Sequence, residues 1–299
     1  MFLKGEIDLT NINYDAYLER VLEFIKVSDE EIEEAKKWVR IIKEGFEKTE
    51  EDNLVIKKTG SYNRNTAIRP LHDVDLFFIL QRSEYTDDIP KLISLFRGKT
   101  QSIVALNKKD LINKTESSGI SVIPVDHGIM IKYPRDNPRF MMDLVLSFPD
   151  SNKEDQFFIP DDENWIKTSK AEHFSKLKSA NIELSGQATK YIKLIKYWNS
   201  LNRKEKNKVG LKPLKSFFLE ELILDNQPSS SDSLTTGMTH LFEKLSVEVL
   251  NKKYQQLKPG GEPISSREMK RRTRSKVLLE RDYKNCSKDK WQEVFKLTY

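Results

Sequence analysis

The segment Gly60-Ser61-Tyr62-Asn63-Arg64-Asn65-Thr66-Ala67-Ile68-Arg69-Pro70-Leu71-His72-Asp73-Val74-Asp75-Leu76 constrains this chain more than any other. It opens on a small-residue turn and ends inside an apolar run, Val74 to Leu80, with the texture of a central strand. Side chains alternate faces along a strand, so Asp73 and Asp75 point the same way while Val74 points back into the core. Two carboxylates that close repel one another, and ionising both is costly unless a cation sits between them. Mg²⁺ suits that place, because it prefers oxygen ligands and keeps positions open for waters and substrate phosphates. Gly60 lets the backbone approach a phosphate closely, and Ser61 can donate its amide and hydroxyl. If a short helix starts here, its amino end also favours an anion. Alone, Gly-Ser-Tyr is an ordinary turn and Asp-x-Asp a common triplet at strand ends. Joined in this order, they describe a turn that grips a triphosphate beside a pair of metal-holding acids.

A third acid strengthens this reading. Phe140 to Phe148 is another apolar strand, and it carries Asp143. A carboxylate on a neighbouring strand lets two ions sit roughly 3.5–4 Å apart, one serving an attacking hydroxyl and the other a leaving pyrophosphate. Around these strands the patterns are mixed. Ser28-x-x-Glu31 is a capping box, and Ile32, Ala35, Val39, Ile42 and Phe46 follow at helical spacing, which predicts a helix from Asp29 to Lys48. Leu54 to Lys57 reads as a short strand, Asp88 to Leu106 as a helix, and Gly119 to Tyr133 as one or two β segments. Asp150 to Asn164 is polar, contains Pro160 and reads as a connector. Helical patterns follow over Lys170–Leu184, Ser185–Asn202, Leu214–Asp225, Thr235–Leu257 and Ser265–Asp282. The expected architecture is α+β with two lobes, a mixed-sheet catalytic lobe over 1–165 and a helical lobe over 166–299.

Composition excludes some classes. The 299 residues suffice for two medium lobes with real cores. With 37% hydrophobic and 32% charged residues, and no apolar run that could span a bilayer, the chain reads as soluble. Glu6 and Asp8 stand where a secretory signal would be apolar, and the lone Cys286 excludes an internal disulfide, so a reducing cytoplasm is expected. The net charge of +5 is local, because residues 267–290 hold ten Lys/Arg against four Asp/Glu. Such a basic helix face can attract nucleotides or RNA, although a solvated face is the commoner outcome.

The segment from Gly60 to Leu76 is similar to the signature of the polymerase-β-like nucleotidyltransferase superfamily. Within it, Thr66-Ala67-Ile68-Arg69 leading to Asp73-Val74-Asp75, and Met142-Asp143-Leu144-Val145, resemble the CD-NTases. These are bacterial cGAS-like synthases of cyclic oligonucleotides used in anti-phage signalling. Lys193-Leu194-Ile195-Lys196-Tyr197-Trp198-Asn199, Lys215-Ser216-Phe217-Phe218-Leu219-Glu220 and the lobe-joining segment Pro160 to Trp165 extend the likeness over residues 28 to 285. The resemblance implies that Asp73, Asp75 and Asp143 hold two Mg²⁺ ions, for which Mn²⁺ can substitute. It implies that Gly60 and Ser61 grip the donor triphosphate, and that Lys196 and Lys193 reach the same phosphates from the helical lobe. Ser216 would contact phosphate and Phe217 would stack on the donor base. The implied substrates are NTPs, ATP among them, the product is a cyclic di- or trinucleotide, and a separate effector protein responds to it. Asn65 stands where the family usually has Gly; Asn tolerates left-handed backbone better than other non-glycine residues, so the loop shape is expected to survive.

Plainer readings stand beside these. The lysines could line a solvated helix face, and Phe217 could be core packing. His72 would face away from both acids, and His127, His173 and His240 lack metal-ligand spacing with Cys286, so a zinc site is not supported. Two other functions share the motifs. Nucleotide addition to an RNA end, as in CCA-adding or 2′-5′ oligoadenylate-forming enzymes, draws on the basic 267–290 segment. A catalytically inactive nucleotide sensor has little need for three acids.

Overall fold

The apolar run after Asp73 forms a strand, β2 (Asp73–Leu80), inside a seven-stranded sheet. The computed structural model describes residues 13–48, 54–71, 73–80, 88–111, 119–132, 141–150, 156–161, 164–168, 170–201, 214–251 and 266–295, so His72 and Phe140 lie outside the described residues. The other strands are β1 (Leu54–Thr59), β3 (Ser121–Val125), β4 (Gly128–Lys132), β5 (Met141–Pro149), β6 (Phe157–Asp161) and β7 (Asn164–Thr168). Their order is β1-β2-β5-β4-β3, with β6 continuing from β5 and β7 from β6. β2 and β5 run parallel, whereas the other described pairings are antiparallel. This is the α+β class that the sequence predicts.

The sheet has two unlike faces because its central strands alternate. Val74, Leu76 and Phe78 of β2 and Met142, Leu144 and Leu146 of β5 bury in the main core with α2 (Asp29–Glu47) and α4 (Ile89–Leu106). Phe78 sits edge-on to Phe46 of α2 and to Phe96 of α4, at 4.7 and 4.8 Å between ring centres. Each such fully buried large side chain contributes about 1.5–3 kcal/mol. The opposite face carries a smaller cluster, Phe77, Ile79, Val145 and Ile159, and shares its side of the sheet with Asp73 and Asp75. α2 begins as predicted: Ser28 Oγ accepts from the Glu31 amide at 3.3 Å, and a Glu31 carboxylate oxygen accepts from the Ser28 amide at 2.9 Å.

One expectation is corrected. Asp150 to Asn164 is not a plain connector, because β6 lies within it and β7 starts at its end. Aromatic pairing outweighs the local Pro and acids here. Phe148 stacks on Phe158 at 4.9 Å and meets Trp165 at 4.7 Å, while Pro160 pairs with Trp165 across the hairpin.

The chain divides into two compact units, one built on Lys26–Lys178, the other on Met1–Ile25, Ser179–Leu257 and Pro263–Tyr299. The second unit holds α1 (Tyr14–Phe24), α7 (Gln187–Leu201), α8 (Ser216–Asp225), α9 (Leu234–Glu248), α10 (Ser266–Cys286) and the short α11 (Trp291–Val294). α3 (Gly60–Asn63) and α5 (Lys108–Leu111) belong to the first unit, and α6 (Lys170–Glu183) crosses from one to the other. α9 ends at Glu248, short of the predicted Leu257. Trp198 anchors the helical unit: it is fully buried, packs against Phe242 and donates its indole N–H to Asp282 at 2.7 Å. Among the described residues no helix is long and apolar enough to cross a membrane.

Candidate active site

Thr59 ends β1 in extended geometry, and the chain turns at once into α3. Gly60 makes that turn with φ +70°, and a β-carbon there would lie 1.5 Å from Asp75 Oδ2. Glycine is thus required both by the backbone angle and by the acid beside it. The Ser61 carbonyl then accepts from the amides of Thr66 at 2.9 Å and Ala67 at 3.2 Å, folding the loop onto itself. Asn65 takes a left-handed φ of +57° within this loop, the conformation for which asparagine is the best non-glycine residue. Burial raises the ionisation point of the neighbouring Tyr62 hydroxyl.

The register of the sheet sets the acids in place. Thr59 pairs with Asp75, and Asp75 pairs with Asp143 across the parallel β2–β5 ladder. Cross-strand partners share a face, so Asp75 and Asp143 lie side by side on strands about 4.8 Å apart. Asp73, two residues before Asp75, shares that face and pairs with Met141. Asp73 is exposed and the other two acids are half-buried, so water and ligands reach the row. Continuing past Asp143, Met130 of β4 and then Ile123 of β3 occupy the same row.

A residue known from the sequence only as a helix cap also supports this end of the sheet. The second carboxylate oxygen of Glu31 accepts from the Leu71 amide at 2.9 Å, just ahead of Asp73. The capping box was legible in the sequence; its reach across to the acid strand was not.

The remaining predicted residues lie on the helical unit. Lys196 is buried and ion-paired with Glu220, itself fully buried, at 3.0 Å. Lys193, one turn earlier on α7, is half-buried. Ser216 is the exposed first residue of α8, and Phe217 beside it is half-buried. Within the first unit the structure brings together Gly60, Ser61, Asp73, Asp75 and Asp143.

The donor set fits Mg²⁺ in kind: hard carboxylate oxygens on one accessible face, with glycine backbone packed against one of them. Among the described residues, no group of three or more His, Cys, Asp or Glu side chains is placed to hold a metal ion, so the fit is one of donor chemistry and strand register.

No protein-family model matches the chain. Over 217 residues it is 27% identical to a probable cyclic nucleotide synthase of Bacillus cereus (strain VD146), a match covering 65% of this chain and 63% of that relative. Among solved structures it is similar to the CD-NTase CdnG of Bradyrhizobium diazoefficiens in complex with GTP, with TM-score 0.68 at 10% identity, over 94% of this chain and 95% of that one. It is also similar to CdnC of E. coli MS115-1 in its HORMA complex, with TM-score 0.61 at 16% identity, over 94% and 96% of the two chains. The Vibrio cholerae cyclic AMP-GMP synthase DncV with the linear intermediate 5′ pppA(3′,5′)pG gives TM-score 0.57 at 16% identity, over 96% and 81%. Across nearly its whole length the chain therefore has the α+β fold of the CD-NTases, and what Gly60–Leu76 and Met142–Val145 resemble in sequence, the structure resembles in fold.

Proposed function

We propose that this chain is a Mg²⁺-dependent nucleotidyltransferase that joins NTPs into a cyclic di- or trinucleotide. The observation that carries the proposal is the row Gly60–Asp75–Asp143: a glycine turn packed against one acid, with a second acid at the adjacent strand position. Gly60 and Ser61 receive the donor triphosphate at the β1 side of the row. Asp73, Asp75 and Asp143 would hold two Mg²⁺ ions, or Mn²⁺, which when bound neutralise phosphate charge and make a hydroxyl easier to deprotonate. A ribose hydroxyl of the second nucleotide forms a bond to the donor α-phosphorus while the bond to the pyrophosphate oxygen breaks. Asp143, on the far side of the row from the turn, takes the hydroxyl proton on a carboxylate oxygen. Repeating the step within one pocket closes the ring. Lys193, Lys196, Ser216 and Phe217 contribute further nucleotide contacts. The product acts as a second messenger for a separate effector protein in bacterial anti-phage defence, in the cytoplasm.

The test is to incubate the protein with all four NTPs and Mg²⁺, then Mn²⁺, treat with phosphatase and weigh the survivors by mass spectrometry. A resistant species at the mass of a cyclic di- or trinucleotide is expected, and linear products alone would overturn ring closure. One observation favours a second reading, extension of an RNA end: α10 carries most of the basic 267–290 segment, with Lys270, Arg281 and Lys284 exposed. Turnover stimulated by RNA, and binding that falls steeply with salt, would select it.

A further inference from the structure

The acid row continues across the sheet, and its far half has no role in the account above. On the acid-bearing face, Asp143 of β5 pairs with Met130 of β4, and Met130 pairs with Ile123 of β3. In the adjacent row, Met141 pairs with Lys132, and Lys132 pairs with Ser121. Ile129 and Ile131, which alternate with Met130 along β4, are buried in the main core, so Met130 faces the acid side. Met130, Ile123 and Lys132 are half-buried, and Ser121 is exposed. With strands about 4.8 Å apart, Met130 stands about 5 Å beyond Asp143 and Ile123 about 10 Å beyond it, a span that a nucleobase covers.

In-line displacement fixes which nucleotide lies there. The attacking oxygen must approach opposite the departing pyrophosphate. With the triphosphate at Gly60 on the β1 side, the attacker comes from the β4–β3 side. Resting on that reading of the site, we infer that Met130 and Ile123 form the shelf under the acceptor base and that Lys132 reads its edge. An apolar shelf of this kind accepts the face of any base. A lysine ammonium only donates hydrogen bonds, so it favours a base edge that offers acceptors, such as guanine O6 and N7 or uracil O4, over the amino edges of adenine and cytosine. The acceptor position therefore prefers guanine or uracil.

The test measures equilibrium binding of the four NTPs as α,β-imido analogues, which bind but cannot be joined, with turnover of the natural NTPs followed in parallel. Lys132→Ala is expected to weaken the guanine and uracil analogues about tenfold and leave the others unchanged. Met130→Asp is expected to weaken acceptor binding of all four, and Met130→Leu to retain it. An equal loss for all four analogues in Lys132→Ala would place the lysine on phosphate and overturn base reading. Indifference to Lys132→Ala and Met130→Asp, in binding and in product composition, would overturn the shelf while leaving the synthase reading intact. Wild-type protein that makes no product, yet loses its guanine and uracil preference in Lys132→Ala, would do the reverse. Absence of both product and preference overturns both.

Discussion

A β-carbon on Gly60 would stand 1.5 Å from the Asp75 carboxylate oxygen Oδ2, so the turn and the acid strand share a space that only glycine leaves open. The pairing of Thr59 with Asp75 makes this unavoidable, since it aligns the last residue of β1 with the acid itself.

Gly60→Ala should consequently damage both stability and activity. The left-handed angle costs about 1–2 kcal/mol for a residue with a side chain. Displacing Asp75 by an ångström lowers turnover by about a hundredfold. Gly98→Ala is the contrasting change, because a β-carbon there meets nothing within 4 Å and α4 gains about 0.5–1 kcal/mol. Thermal melts and product formation for the two variants should move in opposite directions in stability; an active Gly60→Ala protein would refute the packing argument.

The double change Asp73→Asn, Asp75→Asn should abolish turnover and leave the melting temperature unchanged or slightly raised, because it removes repulsion between neighbouring carboxylates. Circular dichroism and the mass-spectrometric product assay check both halves. Residual cyclic product in this variant would remove these acids from the chemistry.

Glu31→Ala removes the carboxylate half of the capping box, which accepts from the Ser28 amide, together with the bond to the Leu71 amide, while Ser28 Oγ still accepts from the residue 31 amide. The expected loss is about 1–2 kcal/mol, with Glu31→Gln losing less because the amide oxygen still accepts. Hydrogen exchange at Leu71 is the local readout, and it should quicken in Glu31→Ala well before the global melt is reached.

Lys196→Met leaves Glu220 as a buried charge without this partner, at an expected cost of about 3–5 kcal/mol. Adding Glu220→Leu should recover much of that loss. Nucleotide affinity is then best compared between wild type and the double variant. Equal affinity in that comparison would make the pair purely structural.

Alkaline stability carries a signature of Tyr191. Burial, aided by the nearby Asp232 and Asp15 charges, pushes its hydroxyl up to about 12. The folded value lies above the unfolded one near 10, so the stabilisation is whole below pH 10 and lost as pH rises from 10 to 12. The loss amounts to about 2–3 kcal/mol. Denaturant midpoints measured from pH 9 to 11.5 should fall accordingly. Tyr191→Phe should flatten part of that fall, while also removing the hydroxyl's bond to Gln187 at 2.9 Å.

Much of the first unit was legible because its signals are local. The capping box at Ser28, the apolar runs of β2 and β5 and the acids' spacing each depend on neighbours in sequence, and each formed where the pattern puts it. Whether the acids meet depended on strand order, which periodicity does not encode; only the Asp75–Asp143 register supplies it. β6 went unread because Pro160 and the flanking acids hide a strand that is held by Phe148 of the preceding strand, a pairing outside its own local pattern. Likewise α1 shows an apolar face of Leu18, Val21 and Leu22, but nothing in that spacing says which later helices it packs with. The burial of Lys196 was equally invisible, since Glu220 arrives from a different helix.

The parallel pairing of β2 with β5 has a consequence in time. Parallel neighbours need a long crossover, here running through α4, β3 and β4 before β5 can dock. Contacts of such long sequence separation form late, after the local turns and helices. A chain still emerging from the ribosome can thus present the Gly60 turn and two acids while Asp143 is yet to be made. The row of three acids is therefore complete only when β5 has docked beside β2 and the sheet has closed.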